Sequence, residues 1–291
     1  MIGIISAFGA AISWTYACFI WRSQTTKYKS IDINLIKNII AFLIFLPAFF
    51  NISILTNSKS ILTLLLSGVV GIGLGDTFYI KSLQIIGTRR TLSIETLSPL
   101  LAALSGEIFI NENLALRSYV GIAIISTSLF ILLRQRTNLV VDNMNPITEH
   151  NNFKIYIFPF LSVLFAVSGG LLSRIVFLYS DLSPFQTTEI RLLGAIIFLI
   201  IIKNFRINFF LKKLNNNDQK RFLLSIFLGT NLGILLQQIV FKTLPLGIGW
   251  TLLSTSPVIS LFFANKEEGK ITKSIILFTT LLFLGLCLII L

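Results

Sequence analysis

Histidine occurs once, at His150, and cysteine twice, at Cys18 and Cys287. A lone histidine in a polar stretch excludes any site built on a histidine cluster. Two cysteines at opposite ends of the chain lack ligand spacing and read as packing residues. Charge is scarce as well: Asp, Glu, Lys and Arg make up 12% of the residues. A soluble domain carries roughly a quarter, so an ordinary soluble protein is excluded. Acidic residues are the scarcer sign, 12 against 24 basic, which leaves a net charge of +12. In a soluble chain that excess would point to nucleic acid. Here Lys and Arg lie between apolar runs, so orientation in a bilayer explains them and no nucleic-acid partner is expected. A nucleotide motif is also missing. The stretch GIGLGD at 71–76 looks like a dinucleotide loop, but no strand precedes it and it lies inside an apolar run. No cofactor and no metal are expected, and an ATP-driven pump would need a separate subunit.

What the chain has instead is length of hydrocarbon. Of its 291 residues 54% are hydrophobic, gathered into runs of about 20, each able to cross roughly 30 Å of bilayer core. The runs fall near 2–21, 34–51, 60–82, 89–110, 117–134, 154–178, 184–204, 221–243, 246–265 and 273–290. The expected fold is an all-α integral membrane protein with ten transmembrane helices. The first run has no small-residue cleavage site and is expected to be retained. Five spans lie on each side of a polar stretch, giving a first repeat over 1–134, a cytoplasmic linker over 135–153 and a second repeat over 154–291.

The two halves match at a fixed offset. Ser98-Pro99 corresponds to Ser256-Pro257, Leu92 to Trp250, Gly71 to Gly229 and Gly75 to Gly233, each pair 158 residues apart. A shared offset across several special residues indicates an internal duplication. Five spans is an odd number, so the second copy must be inverted relative to the first. Loop charge agrees. Connections 1–2, 3–4, 5–6, 7–8 and 9–10 hold most of the basic residues, among them Arg22, Arg89, Arg134, Lys212 and Lys266. The opposite set holds little beyond Lys59, Arg117 and Lys242. The positive-inside rule places the first set in the cytoplasm and both termini outside.

Charges inside apolar spans are costly and mark cavities or partners. The candidates are Asp76, Lys81, Glu95, Glu107, Arg174, Glu189 and Arg191. Asp76 and Glu95 lie deepest in their runs. Each is read either as touching substrate or a coupling ion or, for Asp76, as an internal partner of Lys81. Glu95 shares a helix face with Ser98. Pro99 removes a backbone donor within its span and loosens the helix there, and Pro257 does the same in the second copy. Lys37 and Arg191 open similar stretches of the second and seventh spans. They are read as snorkelling to headgroups or as cationic handles for a carboxylate. Glu189 is expected at the water boundary. Trp14, Tyr16 and Trp250 are candidate cavity walls, with an interface anchor the favoured alternative for Trp250. The binding candidates are thus Trp14, Asp76, Tyr79, Glu95, Ser98, Arg191, Gln237 and Ser256. Gly71, Gly75, Pro99, Gly229, Gly233 and Pro257 are candidates for close helix packing or kinks.

The stretch IGTRRTLSIETLSPLLAALSGEIFINENLALRSYVGIAII resembles the fourth and fifth helices of EamA-type transporters of the drug/metabolite transporter superfamily. Thr88, Pro99, the acidic bend at Glu112 and Gly121 carry the likeness. The second copy keeps Pro257 and an acidic bend at Glu267-Glu268 but lacks the early glycine. The resemblance implies a ten-helix secondary transporter with a central cavity, many relatives being exporters of amino acids, nucleotide-related compounds, sugars, amines or drugs. It supplies no universal site residue. The expected function is export of small metabolites such as amino acids by alternating access, with a proton as a candidate coupling ion and a monomer in the cell membrane. The alternatives are a lipid scramblase, a non-transporting sensor or a membrane-embedded enzyme. An enzyme would need a nucleophile–base pair or metal ligands that the sequence does not offer.

Overall fold

The computed structural model describes residues 1–49, 58–136 and 156–256, with isolated positions 259, 277, 281, 284, 285 and 288 beyond them. Regular structure among the described residues is all helical: α1 Ile2–Thr25, α2 Ser30–Phe49, α3 Ser58–Ser67, α4 Asp76–Glu95, α5 Ser98–Ile110, α6 Leu116–Arg136, α7 Ile157–Tyr179, α8 Pro184–Ile202, α9 Asn216–Ser225, α10 Gly233–Thr243 and α11 Leu246–Leu253. Among them 6 helical rods are long and apolar enough to cross a bilayer. The described residues do not by themselves make ten spans. Pro257, Glu267, Glu268, His150, Cys287 and nearly all of the linker and tenth span lie outside them.

Polarity runs inside out. Ile5, Ile12, Leu43, Leu62, Ile108, Phe109, Ile197 and Phe227 are exposed, whereas Lys37, Asp76, Glu189 and Arg191 are buried. Such a surface is at rest only against hydrocarbon.

Two rods change pitch midway. Between α3 and α4 the residues Gly68–Gly75 form a π-helix, and between α9 and α10 the residues Ile226–Leu232 do the same. Gly68 and Ile226 are again 158 apart. The cause lies in packing. A Cβ on Gly68 would sit 1.9 Å from the Arg191 carbonyl oxygen, and one on Gly169 would sit 2.6 Å from the Gly71 Cα. Backbone lies directly on backbone there, which only glycine permits. In the second copy a Cβ on Gly229 would sit 2.3 Å from the Cβ of Ala17. The third rod of the first half therefore packs on α7, and its counterpart in the second half packs on α1. Widening to a π turn disturbs the carbonyl ladder, and neighbours repair it. Asn34 donates to the carbonyls of Ile72 (2.9 Å) and Gly73 (3.2 Å) and to Thr77 Oγ1 (2.8 Å). At the second π segment the bond runs the other way and satisfies no carbonyl of that segment: Asn231 donates to the Ala41 carbonyl of α2 at 2.9 Å.

The expected fourth span is broken, not merely loosened. The preceding rod bends at Gly87, where φ is +80°. Helix then runs to Glu95, turns through Thr96 and Leu97, and restarts at Ser98 with Pro99 in the first turn of α5. Proline is at ease there because the first-turn N–H has no helical partner. The second copy repeats the break: α11 ends at Leu253, Ser254 and Thr255 turn, and helix resumes at Ser256. Small residues again set the contact between the copies. A Cβ on Gly247 of α11 would lie 2.8 Å from the Cα of Ala103 in α5.

Candidate functional site

The first π segment, the start of α10 and the two helix breaks surround a central cavity of about 90 Å³. From the first half it is lined by Ala10, Ala11 and Trp14 of α1, by Gly71, Ile72 and Gly75, by Asp76, Tyr79 and Glu95 of α4, and by Ser98. From the second half come Ser162, Val163 and Ala166 of α7, Arg191 of α8, Gly233, Ile234 and Gln237 of α10, then Trp250, Leu253, Ser254 and Ser256. The structure thus brings Trp14, Asp76, Tyr79, Glu95, Ser98, Arg191, Gln237 and Ser256 to one space. Gly71, Gly75 and Gly233 line it as well. Gly229 does not; it faces Ala17 and Trp21. Pro99 is buried at the start of α5, away from the lining.

Asp76 does not pair with Lys81. Its Oδ2 accepts from Lys37 Nζ at 2.5 Å. Lys81 instead donates to Gln84 Oε1 at 2.9 Å. Lys37 is fully buried, and its ammonium lies 5.0 Å from the Trp21 ring centre. Snorkelling is therefore corrected: α2 begins at Ser30, so Lys37 lies two turns inside the helix and its stem cannot reach the headgroups. Arg191, 2% exposed, also points inward rather than to headgroups. Its Nε and Nη1 have no hydrogen-bond partner among the described residues. Glu189 is not at a water boundary either. It is 0% exposed, and neither carboxylate oxygen has a partner among the described residues.

The aromatic wall also differs from expectation. Trp250 is 9% exposed and stacks at an angle on Phe241, 5.8 Å between ring centres. It lies in the second turn of α11 and lines the cavity, so the ring points inward and not to an interface. Tyr16 is 37% exposed and does not line the cavity, because it sits on the outer face of α1. Trp14 meets Trp21 edge to face at 5.2 Å and Tyr79 at 5.6 Å. The Tyr79 hydroxyl lies 3.0 Å from the buried Cys18 sulfur.

Sequence reasoning missed Asn34, the role of Lys37 and the serine of α7, Ser162. Polar residues four apart on the buried face of α2, Asn34 and Asn38, were the available signal.

The EamA-like transporter family matches residues 1–134 and 153–291. The chain belongs to that family. This EamA-like protein is a multi-pass membrane transporter of the drug/metabolite type, with a small-molecule substrate and a lipid environment. No curated protein matches the chain. One solved structure, described as "Crystal structure of protein", is similar over 98% of this chain and 95% of its own, with a TM-score of 0.73 and 13% identity. At that identity the likeness is one of fold.

Two polar networks close the ends of this EamA-like bundle. At one end the Glu112 bend joins α5 to α6. Glu112 Oε1 accepts from Arg174 Nε at 2.6 Å, and Oε2 accepts from the Leu246 amide at 2.6 Å. Arg174 Nη1 also donates to the carbonyls of Phe241 (2.9 Å) and Lys242 (3.1 Å). Arg174 thus belongs to this network and not to the cavity. At the other end Lys203 pairs with Asp32, and Lys27 lies 3.6 Å from Asp218. Each network joins one half of the chain to the other.

Proposed function

We propose that this protein is a secondary transporter that exports small metabolites, such as amino acids or related organic solutes, across the cell membrane. Ten spans form two inverted five-helix repeats, 1–134 and 154–291, joined by a cytoplasmic linker over 135–153. They rock about the central cavity as the end networks alternately form and break. The observation that carries the reading is the repetition of special geometry around one cavity. A π segment and a helix break recur at the same offset in both copies, and the cavity is lined by the first π segment, by the start of α10 just after the second, and by both breaks. A cavity between inverted repeats can open to either side with small rigid-body motions. The protein acts as a monomer with both termini outside, and Glu95 carries the coupled proton, since Asp76 is engaged by Lys37.

The test is an untargeted comparison of metabolites inside and outside cells carrying the intact gene, a deletion, or the deletion restored with wild-type or Glu95→Gln protein. Export predicts that a few compounds accumulate inside on deletion and leave again only with the wild-type protein. Compounds that instead fail to enter would reverse the direction. If no pool moves, the transporter reading fails for soluble cargo and lipid movement becomes the reading to test.

A further inference from the structure

We infer that Arg191 binds a carboxylate of the transported solute, and that the Lys37–Asp76 pair keeps Arg191 free to do so. This rests on the transporter reading and deepens it by naming the substrate class, small organic acids and amino acids.

The site is built, not incidental. The backbone of Arg191 is pinned by the π segment, with its carbonyl against Gly68. Its Nη2 lies beside Gly71, where a Cβ would come within 2.9 Å. The side chain is 2% exposed, lines the cavity, and leaves Nε and Nη1 without partners among the described residues. A buried guanidinium beside a cavity, with two donors that no described group takes up, is a fork suited to a carboxylate once the wall yields to admit it.

One competitor is internal. Asp76 lines the same cavity, and its charge acts on Arg191. Asp76 is held by Lys37 at 2.5 Å, so its carboxylate is already engaged. Removing Lys37 alone frees Asp76 to occupy Arg191 from within. Removing Lys37 and Asp76 together frees Arg191 again. A purely structural arginine would show the reversal in stability alone, without a preference for acids over amides that is lost and regained. At about 90 Å³ the cavity admits small solutes in this conformation.

The experiment uses the full chain in lipid nanodiscs and proteoliposomes. The probes are L-serine, L-threonine and L-leucine, their amides, and the carboxylic acids lacking the amino group. Binding is read by ligand-dependent thermal shift. Carboxylate-bearing probes are expected to bind and the amides not. Arg191→Gln raises Kd by about thirtyfold or more, as expected when one partner of a buried charge pair is removed; Arg191→Lys retains some of the affinity. Lys37→Met loses binding, and Lys37→Met with Asp76→Asn regains it. Equal binding of acids and amides, no binding of any acid, or acid binding unchanged in Arg191→Gln overturns the inference. Flux of any solute that ignores Arg191 substitution also overturns it and leaves the transporter reading standing. Acid binding with no solute flux overturns the transporter reading and leaves the anchor.

Discussion

Lys37 and Asp76 show how a charged pair can be kept inside a bilayer. Each alone would be a bare charge in a medium that cannot solvate it. Breaking such a pair from one side costs about 3–5 kcal/mol, whereas replacing both members is often close to neutral. Lys37→Met should therefore lower the thermal midpoint of the purified protein, by less than a bare carboxylate would because Arg191 can take up Asp76, and Lys37→Met with Asp76→Asn should recover most of the loss. Equal losses in both would mean that the pair contributes through more than charge. Gly68 argues from sterics. A methyl group there would meet the Arg191 carbonyl at 1.9 Å, and neither backbone can yield without separating α8 from the π segment. Gly68→Ala should be among the most destabilising single-atom additions in the chain, measured as loss of folded protein on size-exclusion chromatography. Gly233→Ala, whose nearest contact is the Leu228 carbonyl oxygen at 3.3 Å, needs only a shift of a few tenths of an ångström and should cost much less.

At the scale of elements, the duplication was legible because Ser-Pro and glycine pairs are rare landmarks that keep their spacing. The same offset then relates the two π segments and the two helix breaks. The π turns themselves could not be read. Periodicity arguments assume 3.6 residues per turn, and nothing in GVVGIGLG distinguishes a wider pitch from a flexible α-helix. Pro99 could be located but not interpreted, since a mid-span kink and the first turn of a new helix share one sequence pattern. For Lys37 and Trp250 the sequence left two readings open and favoured the membrane interface, for a related reason. Each stands near a run's estimated end, and an error of two or three residues moves a side chain between headgroup and core. The Glu112 network is an element-level device that binds the α5–α6 bend to the first turn of α11. Glu112→Gln weakens the acceptor of the Leu246 amide. Hydrogen exchange of the peptide spanning 244–250 should then speed up several-fold, with α2 unchanged. Unaltered exchange there would show that the network does not hold that end shut.

At the scale of the molecule, the cavity walls come from both halves, and each end is tied by ion pairs between halves. Rocking of one half against the other would break the ties at one end while keeping those at the other, and the cavity would change sides. On the proposed reading, Arg191, Glu95 and the aromatic wall select the solute. The central claim, that a single cavity is reached alternately from both faces of the membrane, has a direct test. Cys18 and Cys287 are replaced by serine and a single cysteine is placed at Ser162 in the cavity lining. Labelling by a membrane-impermeant maleimide is then compared in right-side-out and inside-out vesicles. Alternating access predicts labelling from both faces, with Glu112→Gln raising it from the face that carries that network. Labelling from one face only, under all conditions, would contradict the account.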